Sequence, residues 1–211
     1  SVTIDGKNKM SPVESYGIKI LSIGFFTKSD QAVIWRGPMA AKALNQMIFD
    51  AAWGNLDFLL IDLPPGTGDI HLSILQALPV TGSVIVSTPQ NIALSDARKG
   101  VAMFNQKSIN VPVLGIIENM SIHICSNCGH SEEIFGHGGG QSMALDSETN
   151  FLGALPLQLD IRTDVDEGKP TVIKSPESKA SQIYQEIARK TAATLSLQSK
   201  TVGAFPNITI E

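Results

Sequence analysis

The sequence has only two cysteines in 211 residues, too few for a disulfide-built secreted scaffold. It has no apolar run near the roughly 18 residues that a bilayer-crossing helix needs. It has no basic excess: 16 Lys and Arg stand against 20 Asp and Glu, for a net charge of −4 and a pI near 5.6. That balance argues against a nucleic-acid surface as its main business. It also lacks an initiating Met, beginning at Ser1, and its first residues have none of the character of a signal or transit peptide. The chain is therefore expected to be part of a longer gene product. What is present is globular in kind. Hydrophobic residues make up 43 % and mean hydropathy is +0.10, enough for one domain with a sizeable core or two small ones.

Short aliphatic runs alternate with helix-period segments. Strands are predicted over 18–24, 57–63, 83–88, 113–118 and 151–155, the second of them fully buried. Helices are predicted over 38–52, 69–76, 93–106 and 178–197. Asn91 or Ser95 is the expected cap of the third helix. Ile183, Ile187, Ala188 and Thr191 form the expected inner face of the last one. Nearly continuous apolar strands are those covered on both faces. The reading is α/β, a mostly parallel sheet flanked by helices, over residues 1–198. A polar insertion at 121–140 interrupts it, and 199–211 is a tail or an added edge strand. No internal repeat or low-complexity tract is present.

IDLPPGTGD (61–69) puts an aspartate at the carboxyl end of a predicted strand, where open α/β sheets bind ligands. In phosphate-handling enzymes such an aspartate holds Mg2+ or its water. Pro64-Pro65-Gly66 makes a stiff turn, and glycine amides can approach a phosphate closely. The competing reading is a strand that simply ends in a Pro/Gly turn.

Cys125 and Cys128, in CSNCGH, sit at a spacing from which one tight turn can hold one metal ion. Two thiolates are half of what zinc or an iron–sulfur cluster usually takes. Completion would come from His123, His130 or His137, or from a second copy of the chain across a symmetric axis. A redox dithiol and unliganded thiols are the other readings.

Taken together, VIWRGPM (33–39), LLIDLPPGTGDIHLS (59–73), VTGSVIVSTPQNIALSDARKG (80–100), VPVLGIIENMSIHICSNCGH (111–130), LGALPLQLDIR (152–162) and GKPTVIKSPES (168–178) resemble the Mrp/ApbC family. These are P-loop ATPases that carry iron–sulfur clusters and are related to MinD-type ATPases. The resemblance implies a P-loop NTPase fold of MinD type. Asp62 matches the switch II aspartate, on the magnesium and attacking-water side of the nucleotide, and is the candidate catalytic residue. Pro64 and Gly66 belong to the same switch. Asn119 matches the asparagine that faces adenine, and Pro156 lies in the loop on the other side of that base. Cys125 and Cys128 match the pair that holds a bridging [4Fe-4S] cluster between two subunits. Arg36 and Arg162 are candidates for phosphate or partner contacts.

One departure is large. The family's glycine-rich P-loop with its signature lysine has no counterpart here; Gly6-Lys7 follows no glycine-rich loop. The sequence looks like the C-terminal two-thirds of such a protein and incomplete at the N-terminus. It is expected to be inactive as an ATPase on its own. The implied function is that of a cluster carrier: a homodimer joined through the Cys pair, delivering [4Fe-4S] to apo-proteins, with ATP and Mg2+ bound in the full-length parent. A zinc-bridged, non-enzymatic interaction domain is the first alternative, and a MinD-like positioning or partition ATPase the second. No nucleic-acid or membrane partner is expected. The compartment expected is the cytoplasm, or the mitochondrion if a transit peptide precedes Ser1.

Overall fold

The computed structural model describes residues 3–4, 9–26, 37–64 and 66–198. It comprises two compact units, Ser1–Leu78 and Pro79–Glu211.

In the first unit, β1 (Thr3–Ile4) pairs antiparallel with β2 (Met10–Ser11), and β3 (Val13–Ser15) with β4 (Ile18–Ile20). Tyr16 and Gly17 join the second pair with φ of 52° and 76°. Two consecutive positive φ values make the two-residue turn whose twist suits a hairpin. A 3-10 turn follows at Ile23–Phe26. Helices α1 (Gly37–Phe49) and α2 (Asp69–Ala77) pack on each other. Gln46 and Trp53 fasten the end of α1. The Gln46 carbonyl takes the Asp50 amide at 2.8 Å, and the Trp53 indole donates to the Ile48 carbonyl at 3.0 Å.

Two expected strands are corrected here. Residues 18–24 do not form a core strand: only Ile18–Ile20 is extended, it belongs to a local hairpin, and Ile18 is 62 % exposed. The Tyr16-Gly17 turn supplies a partner next door in sequence, which outcompetes a distant one. Residues 57–63 form no strand. Phe58, Leu59 and Leu60 are 59 %, 45 % and 87 % exposed. A strand exists only by pairing, and no ladder partner lies beside this segment among the described residues.

The second unit holds a parallel sheet in the order β5 (Ser83–Ser87), β6 (Val113–Glu118), β9 (Phe151–Ala154). Between β5 and β6 runs α3 (Asn91–Phe104), packed on β5. Between β6 and β9 lie a small hairpin, β7 (His123–Ile124) with β8 (Ser131–Glu132), and helix α4 (Gly139–Asp146). After β9 come α5 (Leu159–Asp166), α6 (Thr171–Lys174) and α7 (Lys179–Leu197). The core is aliphatic. Leu152, Leu155 and Ile187 are buried together, with Val84, Ile117, Ile183 and Tyr184 packed against them. Gly115 is required by the β6–β9 approach: a Cβ there would stand 2.6 Å from the Asn150 carbonyl oxygen. The start of β9 is fixed by Thr149 and Asn150, whose side chains donate to the Val113 and Leu114 carbonyls at 2.8 and 3.0 Å.

Helix α7 begins one residue after its expected start, capped by the Ser178 hydroxyl, which accepts the Ser181 amide at 3.1 Å. Its inner face differs by one position, since Ala188 is exposed and Tyr184 takes part in the core instead. The α3 cap also differs. Gln90 holds the position without a side-chain bond, and Asn91 is already helical. No helix among the described residues is long and apolar enough to cross a membrane.

Candidate functional site: strand ends and a cysteine hairpin

In the second unit the ladder continues past its named strands at the carboxyl ends. The Asn119 amide donates to the Ser87 carbonyl at 2.7 Å, and the Leu155 amide to the Glu118 carbonyl at 2.8 Å. The Ser121 amide and hydroxyl both reach the Leu155 carbonyl, at 3.0 and 3.1 Å, and the Leu157 amide reaches the Ile122 carbonyl at 2.8 Å. Asn119 and Pro156 therefore stand on neighbouring extended segments. Leu155 and Leu157 make the ladder bonds on either side of Pro156, which has no amide to offer and sits buried between them. The Asn119 carboxamide oxygen accepts the Met120 amide at 2.9 Å, and Met120 has φ of 54°. The side chain thus stabilises the turn out of the strand and keeps its Nδ2 group as a donor.

The residue before it was missed at the level of sequence. Glu118 is 4 % exposed, and its Oε2 accepts the Gly140 amide at 2.7 Å. A carboxylate closing an otherwise apolar strand was the available signal; its burial was not legible.

The cysteines sit at the tip of the β7–β8 hairpin. The Cys125 amide donates to the His130 carbonyl and the Gly129 amide to the Cys125 carbonyl, both at 2.9 Å. Gly129 has φ of +72°, which folds the chain back after Cys128. Both thiols are free; Cys125 is half-buried and Cys128 exposed. The Cys128 amide, then the Asn127 amide, then the Cys128 thiol donate to the Cys125 sulfur and hold its pKa below the ordinary thiol value. A thiolate supported by backbone amides is the form that binds a metal.

The histidines do not join them. His130 contributes its carbonyl, and the exposed His137 ring pairs with Glu133 at 2.8 Å. Among the described residues no group of three or more His, Cys, Asp or Glu is placed to hold one metal ion. The hairpin borders a groove of about 220 Å3 lined by Glu118, Ser121, Ile122, Glu133, His137 and Gly138 among others.

The first unit carries the other expected residues. Asp62 and Pro64 are exposed, and Gly66 has φ of +95°. Pro64 is held from the following helix: its carbonyl accepts the Nε2–H of His71 at 2.9 Å, and His71 is 4 % exposed. Sequence reasoning missed His71 as well. Arg162 pairs with Asp166 at 2.8 Å on the exposed side of α5. Gly6, Lys7, Arg36, Pro65 and the 199–211 tail lie outside the described residues.

The family described as "ParA: NUBPL iron-transfer P-loop NTPase" matches residues 1–192. A protein of Salmonella typhimurium named iron-sulfur cluster carrier protein is 52 % identical over 193 residues, 92 % of this chain and 52 % of that protein. The iron-sulfur cluster transfer protein NUBPL of Dictyostelium discoideum is 45 % identical over 190 residues, 90 % of this chain and 58 % of that one. The chain thus spans about half the length of the curated relatives it matches. Among solved structures, the nucleotide-binding protein of Archaeoglobus fulgidus in complex with ADP superposes with a TM-score of 0.66 at 33 % identity, covering 84 % of this chain and 67 % of that one. The Pyrococcus furiosus cell division ATPase MinD shares the fold, with a TM-score of 0.52 at 21 % identity, over 73 % of this chain and 57 % of that one.

Proposed function

Because the chain belongs to the NUBPL iron-transfer P-loop NTPase family, we propose that it is the cysteine-bearing part of an iron–sulfur cluster carrier. The observation that carries this reading is the Cys125–Cys128 turn. Backbone bonds from Cys125 to His130 and from Gly129 to Cys125 close one tight loop that carries both sulfurs, and no third side-chain ligand joins the pair among the described residues. A donor set of two thiolates is half a cluster site. A second copy of the chain, related by a two-fold axis, supplies the other half and gives four thiolates around one [4Fe-4S] cargo. The exposure of Cys128 suits this, since the same sulfur must meet a partner chain and then give way to the thiolates of an apo-protein recipient. The reading places the carrier in a reducing compartment, the cytoplasm or the mitochondrial matrix.

The nucleotide is assigned to the other residues. Asp62, Pro64 and Gly66 form the switch that meets Mg2+ and the terminal phosphate of ATP. Asn119, through Nδ2, and Pro156 flank the base at the carboxyl ends of the parallel strands, where such sheets bind ligands. ATP binding and hydrolysis are coupled to loading or release of the cluster in the full-length protein.

Anaerobic reconstitution with iron and sulfide is the test. The reading expects a broad visible charge-transfer band, about four irons per two chains, and a dimer that forms with the cluster. Cys125→Ser and Cys128→Ser each abolish the band and the dimer. A colourless protein that holds one zinc per dimer through the same cysteines would replace it with the zinc-bridged reading.

A further inference from the structure

The cysteine hairpin leaves the sheet after Asn119 and returns at α4. Its departure is fastened by ladder bonds, from Ser121 to the Leu155 carbonyl and from the Leu157 amide to the Ile122 carbonyl. Its return is fastened by a different device, the 2.7 Å bond from the Gly140 amide to the Glu118 carboxylate. The three glycines at 138–140 make that approach feasible. Gly138 turns the chain with φ of +65°. A Cβ on Gly139 would lie 2.5 Å from Leu94 Cδ1 and 2.7 Å from the Pro89 carbonyl, and one on Gly140 would lie 2.9 Å from Glu118 Cβ. The return of the hairpin is therefore seated against Pro89 in the loop after β5, Leu94 of α3 and Glu118 at the end of β6, with no side chain of its own in between.

Glu118 is 4 % exposed, and its carboxyl group meets the first turn of α4 through the Gly140 amide. The groove of about 220 Å3 beside it, lined by Glu118, Ser121, Glu133, His137 and Gly138, gives the return segment room to shift. Glu118 also immediately precedes Asn119.

We propose that Glu118 is a positioning residue that links the end of β6 to the cysteine hairpin, so that a ligand engaging the β6 end alters the freedom of residues 121–140. This rests on the reading that Asn119 faces the nucleotide. It adds the side chain through which that event reaches the cysteines.

The test uses the full-length protein and three variants. Glu118→Gln keeps an acceptor oxygen for Gly140. Glu118→Ala removes it. Gly140→Ala leaves the carboxylate and forces the return segment away from it. The primary readout is amide hydrogen exchange of 121–140 with and without ADP, which needs no loaded cluster. The second is the rate at which a chelator strips cobalt(II) from the cysteines. In the unsubstituted protein, ADP is expected to change exchange in the hairpin by about threefold or more. Glu118→Gln keeps that response. Glu118→Ala and Gly140→Ala lose it, strip faster, and still bind ADP within about threefold of normal, since neither substitution touches the nucleotide. A hairpin response to ADP that survives in both Glu118→Ala and Gly140→Ala overturns the proposal, as does an unsubstituted hairpin that ignores ADP. Cluster reconstitution separates the two claims. A normal cluster with an unresponsive hairpin sinks the link and keeps the carrier. A responsive hairpin with no cluster sinks the carrier and keeps the link.

Discussion

The ring of His71 donates its Nε2–H to the carbonyl of Pro64, 2.9 Å away, while its Nδ1 is buried without a partner among the described residues. A carbonyl only accepts, so Nε2 carries a hydrogen. The ring thus couples helix α2 to the loop that holds Asp62 and Gly66. His71→Ala, which loses the bond and leaves a hole, should destabilise the first unit by about 2 to 3 kcal/mol. His71→Gln, which presents a donor at a similar reach, should recover all but about 1 kcal/mol. Denaturant midpoints of the two variants decide it: equal losses would mean that the ring matters only as bulk.

Two glycines separate crowding from backbone strain. At Gly115 a Cβ meets the Asn150 carbonyl oxygen at 2.6 Å and Leu152 Cγ at 2.7 Å, between two paired strands. Gly115→Ala should cost about 3 kcal/mol, because neither neighbour is free to retreat. At Gly66 nothing lies within 4 Å, but φ is +95°. Gly66→Ala should cost only about 1 to 2 kcal/mol and act mainly on nucleotide affinity. Thermal unfolding and nucleotide titration of the two variants should rank them in opposite orders.

Stability should fall at both extremes of pH through one ion pair. Lys174 Nζ lies 2.7 Å from Asp164 Oδ1, and Thr171 Oγ1 donates to Asp164 Oδ2 at 2.9 Å. The Lys174 bond first, opposed by burial and helped by Thr171, holds the Asp164 carboxyl below its ordinary value. A depressed acid stabilises the fold above its unfolded-state pKa, and that stability is lost as pH falls from there through the lower folded value. Bonds to Asp164 and then Glu167 raise Lys174 above its ordinary value. Its contribution is full below the ordinary lysine range and is lost as pH rises through the raised value. Asp164→Asn should flatten the acid arm of a plot of unfolding free energy against pH and shrink the alkaline arm, which Glu167 sustains in part; an acid arm that persists would place its origin elsewhere.

Cys125 should titrate ahead of an ordinary thiol. The rate of its alkylation against pH, read by mass spectrometry on metal-free protein, should have a midpoint below that of an unstructured cysteine peptide. Cys128→Ser keeps the backbone amides, which contribute the larger share of the effect, so the Cys125 midpoint should rise only slightly. A rise to the peptide value would assign the effect to the Cys128 thiol instead.

The second unit was more legible in sequence than the first, for a physical reason. β6 occupies its predicted residues, 113–118, because a short run of Leu, Ile and Val bounded by Pro and Asn fits a strand buried on both faces. α7 declared itself through its amphipathic period. Residues 57–63 have the same apolar character, yet have no ladder partner among the described residues: composition tells what a segment would bury, not whether a neighbour is there to bury it. α4 went unseen because it opens on glycines, the poorest helix formers after proline. Those glycines are explained by the contacts of Pro89, Leu94 and Glu118, which no local pattern encodes. The Cys pair was evident from spacing alone. The amides that point at Cys125, and the distance of the histidines from any shared ligand set, required three dimensions.

The exposed stretch Phe58–Leu60 has a consequence for handling the polypeptide. Exposed apolar side chains in a segment with no ladder partner among the described residues are a template for adding a strand from another molecule. Copies of the 211-residue chain would zip together there at high concentration, and a holdase chaperone would find its preferred kind of segment. Clumping seen with this polypeptide should therefore be traced to residues 58–60 before it is credited to a dimer built on the cysteines.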